Sequence, residues 1–224
     1  MSSKIIKPEL ICLDLIDTLV LRNNSQFTVF FVEQLNKFNI TVQDTTKVAK
    51  RIREKYLEYS FGNYSDDIEY LRSITRYYLD FPEADDLVYA LIPGLFEHFA
   101  LIDNCKEFLE FCASKYKLVL ASNFIVSWAE HLLDKFDIRR YFEKIYISSE
   151  IRYRKPAKEF YLQIINDYPH IEKNKMLMIG DSIVNDFYGA KDLGLSSILF
   201  DNGKTGDYYH KNIRQTFLQI EQSI

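Results

Sequence analysis

Glycine is scarce in this chain: only 7 of its 224 residues are glycine, about 3% where ~7% is usual. Backbone that bends freely or approaches another group closely is therefore rare. Five of the seven glycines lie in one stretch towards the C-terminus: Gly180, Gly189, Gly194, Gly203 and Gly206. We expect this stretch to contribute to a functional site.

Cysteine and long apolar runs are also scarce. The three cysteines, Cys12, Cys105 and Cys112, have neither the even number of a disulfide framework nor the spacing of zinc ligands, which favours a reducing compartment. Charged residues interrupt the apolar run near the N-terminus, so the sequence contains no secretory signal and no stretch of ~18 apolar residues for a membrane span. We therefore expect a cytoplasmic protein that does not associate with membranes.

The chain has no excess of positive charge. It contains 28 basic and 32 acidic side chains, for a net charge of −4, so we do not expect a nucleic-acid partner. Its length suggests one large domain or one domain with a sizeable insertion, at ~150 residues per domain. The sequence does not indicate an oligomeric state.

Apolar runs alternate with helical patterns over most of the chain. Residues 9–13, 117–121, 144–148, 176–180 and 196–200 are predicted strands, and helical periodicity covers residues 103–115, 125–136, 157–167 and 184–193. Strands that alternate with helices indicate an α/β fold in which helices cover both faces of a parallel sheet, a three-layer Rossmann-like core.

A long helical interval separates the first two predicted strands. A crossover needs only about a dozen residues, so we predict that residues 20–95 form a helical-bundle insertion and that residues 1–19 and 96–224 form the α/β core. The insertion is rich in aromatic residues, which either fill the interior of the bundle or line a pocket for an apolar or planar substrate group. These residues include Tyr56, Tyr59, Phe61, Tyr64, Tyr70, Tyr77, Tyr78 and Phe81.

Polar residues stand where the predicted strands end. Ligands of open parallel sheets bind beyond the carboxyl ends of the strands, so these residues are expected to converge. Each one alone has an ordinary interpretation as a helix cap, a turn residue or a surface charge. Their order along the chain favours a site instead; they are Asp14, Ser122, Asn123, Lys155, Asp181 and Asp186.

Four segments of the sequence resemble the motifs of the haloacid dehalogenase superfamily. They are Leu-Asp-Leu-Ile-Asp-Thr-Leu at 13–19, Leu-Ala-Ser-Asn at 120–123, Arg-Lys-Pro at 154–156 and Ile-Gly-Asp-Ser-Ile-Val-Asn-Asp at 179–186. The resemblance extends over essentially the whole chain, and the helical insertion is similar to the C1-type cap of that superfamily. It implies a hydrolase that acts on a small-molecule substrate.

The resemblance also implies a nucleophile and a metal site. Asp14 would attack phosphorus and form an aspartyl-phosphate. Magnesium would be held by Asp14, Asp181 and the main-chain carbonyl of Ile16, and Asp186 would be a further ligand or would support Lys155 or a metal-bound water.

Further residues would act on the phosphoryl group. Ser122 would donate a hydrogen bond to a phosphoryl oxygen, and Lys155 would neutralise charge on the nucleophile and the transferring group. Asn123 and Arg22 are candidate substrate-binding residues, and Arg22 belongs to the predicted insertion.

One position departs from the pattern of phosphatases in this superfamily. Their second aspartate, two residues after the nucleophile, exchanges protons with the leaving oxygen and with water, whereas this chain has Ile16 there. An acid/base group of this kind typically contributes ~10²–10⁴-fold to the rate. Asp17, where many members have glycine, is not expected to replace it, because neighbouring side chains of an extended segment point to opposite faces.

Three interpretations remain open. The first is a magnesium-dependent phosphohydrolase that is slow, restricted to good leaving groups or assisted by a residue such as Arg22. The second is dehalogenase- or phosphonatase-like chemistry, which does not use the second aspartate; a phosphonatase would need a cap lysine, for which Lys47, Lys50 and Lys55 are available. The third is a weakly catalytic member that binds a phosphorylated ligand or a partner protein.

Overall fold

The structure is a computed structural model that describes residues 7–80, 82–203 and 214–224. Phe81 and Gly206, singled out above, lie outside these ranges. Over the described residues the chain divides into two compact units. One comprises the residues up to Leu21 and from Leu101 onward, and the other comprises Arg22–Ala100.

The first unit is built on a six-stranded parallel sheet with the strand order β5-β4-β1-β6-β7-β8. The fold is therefore α/β, as predicted. The remaining two strands, β2 and β3, pair with each other in a separate sheet. The strands are β1 (Leu10–Leu13), β2 (Val20–Arg22), β3 (Phe99–Leu101), β4 (Lys117–Ser122), β5 (Lys144–Ile147), β6 (Met176–Gly180), β7 (Ser196–Phe200) and β8 (Arg214–Gln215).

The central strand β1 explains why this sheet is apolar. All four of its residues are fully buried, and Leu13 is paired with Leu120 on one side and with Ile179 on the other. A strand inside a parallel sheet is covered on both faces, which favours a continuous apolar run over an alternating one. This register also brings the carboxyl ends of β4, β1 and β6 to the same edge.

Helices flank the sheet and complete the three layers. Phe160 and Ile164 of α8, for example, are buried in one cluster with Cys12 and Val119 of the sheet. The helices of this unit are α5 (Cys105–Ala113), α6 (Val126–Lys135), α7 (Ser148–Ile151), α8 (Lys158–Asp167), a π-helix (Ile183–Tyr188), α9 (Gly189–Lys191) and α10 (Phe217–Glu221). They are preceded along the chain by the helices of the second unit.

The second unit contains α1 (Asn24–Lys37), α2 (Thr45–Ser60), α3 (Asp67–Thr75) and α4 (Glu83–Leu91). Tyr59 and Tyr70 are buried in it with their rings stacked at 5.2 Å, whereas Phe61 and Tyr77 are exposed. The aromatic residues of the insertion therefore divide between its interior and its surface. Whether this unit acts as a cap over the site stays a prediction.

One local prediction was wrong. The interval between the first strands contains β2 and β3, because strands of three residues are too short to give a periodic signal. The helix predicted over 184–193 is present at residues 183–191. It begins as a π-helix, in which the Phe187 N–H donates to the Ser182 carbonyl five residues earlier, and then continues as the short α9.

The cysteines match the expectation that they form no disulfide. All three are free and buried, and burial raises the pKa of each thiol to about 12. None of the helices in the described part of the chain is both long and apolar enough to cross a membrane.

Candidate functional site

The predicted site residues of the first unit meet at the carboxyl edge of the sheet. Asp14 follows β1, Ser122 ends the neighbouring strand β4, and Asp181 follows the neighbouring strand β6. Asp14 and Ser122 are buried, and a side-chain hydrogen bond from Ser122 reaches the Asp14 carboxylate. Residues that are far apart in the sequence thus surround one carboxylate.

Lys155 is a buried lysine whose ammonium group is held by three acceptors. Its Nζ donates to Oδ1 of Asp14 at 2.8 Å, to the main-chain carbonyl of Ala121 at 2.6 Å and to Oδ1 of Asp186 at 2.5 Å. An ammonium group has three donors, so this arrangement uses all of them. With only 3% of its surface exposed, Lys155 is not the surface lysine that its sequence context also allowed.

Charge and burial have opposite effects on the pKa values of Lys155 and Asp14. Burial alone would lower the pKa of Lys155, but the charges of Asp14 and Asp186 and their hydrogen bonds outweigh it, and the pKa is raised. Burial raises the pKa of Asp14 to about 6, and Lys155 opposes this rise. The lysine therefore stays protonated and favours the ionised, nucleophilic form of Asp14.

Three carboxylates form a cluster that fits a divalent cation. One oxygen from each of Asp14, Asp181 and Asp186 lies within 4.8 Å of the other two. Burial and the nearby charges of Asp14, Asp186 and Asp17 raise the pKa of Asp181 to about 8. Negative charge crowded in this way is relieved by a cation, and carboxylate oxygens are the ligands that Mg²⁺ prefers.

Asp186 has little freedom to move within this cluster. Its Oδ1 accepts from Lys155, and its Oδ2 accepts from the main-chain N–H of Ser182 at 3.0 Å. Gly180 lies directly behind it, because a Cβ at that position would be 2.3 Å from Cγ and from Oδ2 of Asp186. The glycine predicted to lie close to the site is thus required by the Asp186 carboxylate itself.

The π-helix presents Asp186 and is held at its N-terminus and at Asn185. Ser182, rather than Asp181, caps it, since the Ser182 hydroxyl accepts from the Asn185 N–H at 3.1 Å. The Asn185 carbonyl accepts from the hydroxyl of Tyr161, a buried residue of α8, at 2.5 Å. Further along, a Cβ on Gly189 would be 2.9 Å from Cβ of Pro156, which agrees with the expected close packing of this segment.

Asn123 holds the main chain of Lys155 on both sides. Its Nδ2 donates to the Lys155 carbonyl at 2.8 Å, and its Oδ1 accepts from the Lys155 N–H at 2.7 Å. This bidentate contact fixes the backbone from which the lysine side chain extends. Binding of substrate by Asn123 stays a prediction, whereas its contact with Lys155 was not expected.

The turn after Asp14 connects to Asp181. Asp17 has φ 63°, a left-handed conformation that glycine adopts easily, and its N–H donates to the Val20 carbonyl at 2.7 Å. The buried Thr18 hydroxyl accepts from the Asp181 N–H at 3.1 Å and lies 3.5 Å from Oδ2 of Asp14. In the sequence Thr18 is only one residue of a motif. Its position between Asp14 and Asp181 is visible only in the structure.

Asn202 is a further residue of the site, and no pattern in the sequence indicated it. This residue follows β7, and its amide nitrogen donates to the Asp17 carbonyl at 2.9 Å and lies 3.4 Å from Oδ2 of Asp181. A single asparagine after a strand is a common turn residue, so the sequence contains no signal that distinguishes it.

The remaining predicted site residues are Ile16 and Arg22. Ile16 forms an isolated parallel bridge with Val20, so its main chain is part of the turn that follows Asp14. Arg22 belongs to the second unit, where its guanidinium group lies 4.6 Å from the centre of the Tyr56 ring. Their roles as metal ligand and substrate-binding residue, respectively, stay predictions.

Known proteins resemble this chain in sequence and in fold. Pyrimidine 5'-nucleotidase PynA of Streptococcus pneumoniae is 31% identical over 86 residues, which is 38% of this chain and 36% of that protein. The match thus spans about a third of the length of this relative. A 2-haloacid dehalogenase from Pseudomonas syringae has a TM-score of 0.68 at 14% identity, with 96% of this chain and 97% of that chain covered.

A further structure of similar fold contains ligands. It is a HAD family enzyme from Bacteroides thetaiotaomicron in complex with magnesium and inorganic phosphate, with a TM-score of 0.63, 20% identity, and 91% of this chain and 98% of that chain covered. The family model of haloacid dehalogenase-like hydrolases matches residues 15–200. Together with the four motifs at the edge of the sheet, this match shows that the chain belongs to the haloacid dehalogenase-like hydrolases.

Proposed function

We propose that this protein is a magnesium-dependent phosphohydrolase that forms an aspartyl-phosphate on Asp14. The observation that carries the proposal is the cluster of Asp14, Asp181 and Asp186 around the buried Lys155. Burying several charged groups at a strand edge is costly unless they are paired or bind a ligand. Three carboxylates exceed the charge of one lysine, and the excess favours a cation.

The residues that would hold magnesium are Asp14, Asp181 and the main-chain carbonyl of Ile16. Asp186, whose two oxygens accept from Lys155 and Ser182, would mainly support the lysine. When bound, the ion would screen the negative charge between the carboxylate and the phosphate.

The reaction begins at the Asp14 carboxylate. One of its oxygens attacks phosphorus and forms an O–P bond, and the leaving oxygen departs with the electron pair of the broken bond. Lys155, 2.8 Å from Oδ1 of Asp14, offsets charge on the nucleophile and on the transferring group. Ser122, beside Asp14, donates to a phosphoryl oxygen. Water then hydrolyses the aspartyl-phosphate, which releases phosphate and regenerates Asp14.

Ile16 limits which substrates react well. Isoleucine cannot protonate the leaving oxygen, so this proton comes from solvent, and Arg22, if it assists, would stabilise the departing oxygen through its positive charge. Esters whose leaving group is stable without a proton, such as aryl and acyl phosphates, should therefore react faster than alkyl phosphates. The slow step for an alkyl phosphate would be departure of the alkoxide.

The substrate class we propose is a small phosphorylated metabolite. The relative PynA is named as a nucleotidase, which supports a small phosphate ester as the substrate. The helical unit Arg22–Ala100 would act as a cap that selects the substrate and excludes water, with Arg22 and Asn123 among the binding residues.

The test is phosphate release from an aryl phosphate with and without Mg²⁺, compared with the Asp14→Asn variant. We expect magnesium-dependent release by the parent protein and none by the variant, because an amide does not attack phosphorus. Absence of release from both aryl and acyl phosphates would contradict the proposal and would favour a protein that binds a phosphorylated ligand without turnover.

A dehalogenase is the second candidate, and Ile16 is the observation in its favour, because a halide leaves without a proton. The acidic cluster argues against it, since a carboxylate substrate gains nothing from three further negative charges. Chloride release from a 2-chloroacid without Mg²⁺ would identify the dehalogenase. Borohydride trapping of a lysine in the presence of a phosphonate that carries an aldehyde group, with which the lysine can form a Schiff base, would identify the phosphonatase variant of the same alternative.

A further inference from the structure

Asn202 contacts two parts of the candidate metal site, and it lies 185 residues after one of them, Asp17, in the sequence. It lies in the loop after β7, its Nδ2 donates to the Asp17 carbonyl at 2.9 Å, and the same atom is 3.4 Å from Oδ2 of Asp181. The strands β1, β6 and β7 are consecutive in the sheet. The loops that follow three neighbouring strands therefore meet at one amide group.

The first effect of this amide is on the turn that follows Asp14. The Asp17 N–H donates to the Val20 carbonyl at 2.7 Å, and the Asp17 carbonyl accepts from Asn202, so the peptide groups on both sides of Asp17 are held. In a trans peptide the N–H and the preceding C=O point in opposite directions. The bond to Val20 therefore sets the direction of the Ile16 carbonyl, and the bond from Asn202 stabilises the turn in that orientation.

The second effect is on Asp181. The charges of Asp14, Asp186 and Asp17 all act on this carboxylate, and each of them repels it. A neutral amide donor beside Oδ2 favours one orientation of the carboxylate. Groups that orient metal ligands in this way typically change metal affinity 10–100-fold when they are removed.

We propose that Asn202 is a positioning residue of the metal site, whose amide orients the Asp181 carboxylate and the turn containing the Ile16 carbonyl for a divalent cation. This inference rests on the proposed function, because it takes Asp181 and the Ile16 carbonyl as magnesium ligands. Asn202 itself is not a ligand, since its amide nitrogen faces the two oxygens that it orients.

The experiment is a calorimetric titration of the whole chain with MgCl₂ in the absence of substrate. It compares the parent protein with Asn202→Ala, which removes the amide, and with Asn202→Leu, which keeps a similar shape without a donor. The matched control is Asn174→Ala, which removes the same side chain from an exposed position at the opposite edge of the sheet. We expect Kd for Mg²⁺ to rise at least about tenfold in both Asn202 variants and to stay unchanged in the control.

The outcomes separate this inference from the proposed function. If the parent protein and the control bind Mg²⁺ and the Asn202 variants bind it within twofold of the parent, the role of Asn202 is overturned while the metal site stands. If the parent does not bind Mg²⁺, both proposals are overturned. If thermal melting shows that neither Asn202 variant folds, Asn202 is a structural residue and the inference is again overturned.

Discussion

Asn123 and Lys155 are joined by a pair of hydrogen bonds between a side chain and a main chain, at 2.8 Å and 2.7 Å. The asparagine amide donates to the lysine carbonyl and accepts from the lysine N–H, so it fixes the lysine backbone without touching the ammonium group. The ammonium group is fixed separately, by Asp14, Ala121 and Asp186. Lys155 is therefore held at both ends of its side chain.

Removing the Asn123 amide should impair catalysis more than binding. In Asn123→Ala the Lys155 backbone loses both bonds, and we expect kcat on an aryl phosphate to fall at least about tenfold, while KM rises by a smaller factor through the loss of substrate contact. A tenfold loss corresponds to about 1.4 kcal/mol of transition-state stabilisation. Steady-state kinetics test this, with the exposed Asn174→Ala as control. A kcat within twofold of the parent value would show that the contact is dispensable.

Restoring the missing acid should increase activity. Ile16→Asp places a carboxyl group two residues after Asp14, and a positioned acid/base group contributes ~10²–10⁴-fold. We expect a larger gain on alkyl phosphates than on aryl phosphates, because an aryl leaving group depends less on protonation. The matched control is Ile16→Asn, which is similar in size to the Asp variant but cannot act as an acid. Equal rates for the two variants would mean that protonation does not limit this enzyme.

A side chain at residue 180 should displace Asp186. In Gly180→Ala the new Cβ would lie 2.3 Å from Cγ of Asp186, so the carboxylate must shift away from Lys155. We expect kcat to fall and the free energy of unfolding to drop by about 1–3 kcal/mol, as for other overpacked sites.

Gly194→Ala is the control for Gly180→Ala. Gly194, unlike Gly180, has a positive φ of 88°, and the nearest atom to a Cβ placed there would be a Lys173 carbon at 3.8 Å. This variant should lose some stability through backbone strain and keep its kcat. If Gly180→Ala kept its kcat as well, the position of Asp186 would not matter for turnover.

Tyr161→Phe should destabilise the π-helix. It deletes the hydroxyl that donates to the Asn185 carbonyl at 2.5 Å and leaves the ring in place. A buried hydrogen bond contributes about 1 kcal/mol, so urea unfolding should show a loss of that size. Tyr77→Phe, at a position that is 69% exposed, should show almost none. Equal stabilities of the two variants would mean that the Tyr161 hydroxyl does not stabilise the fold.

Much of the fold follows from short-range patterns in the sequence. The run Leu10–Leu13 is apolar throughout because β1 is covered on both faces, and buried apolar runs likewise mark β6 and the interior of β4. The strands β2 and β3 have only three residues each, and the hydrogen bonds of the π-helix span five residues where those of an α-helix span four. Strands this short, and a change this small in helical hydrogen bonding, leave no periodic signal in the sequence.

The residues of the site likewise divide into those that the sequence predicts and those that it does not. Asp14, Lys155 and Asp181 were predictable because each stands directly beyond a strand or in a motif, where parallel topology brings such residues together. Asn202 and Tyr161 act through partners on distant segments, so their roles depend on tertiary pairing that a single sequence does not contain. Asn123 lies next to Ser122 in its motif, yet its contact with the Lys155 backbone is likewise visible only in three dimensions.

The most direct test of the central claim is to trap the covalent intermediate. The parent protein would be mixed with an aryl phosphate and Mg²⁺, quenched in acid, digested and analysed by mass spectrometry, with Asp14→Asn treated in parallel. We predict one phosphoryl group on the peptide that contains Asp14, and no phosphorylated peptide from the variant. Phosphate release by the parent without phosphorylation of Asp14, or equal release by Asp14→Asn, would contradict the account.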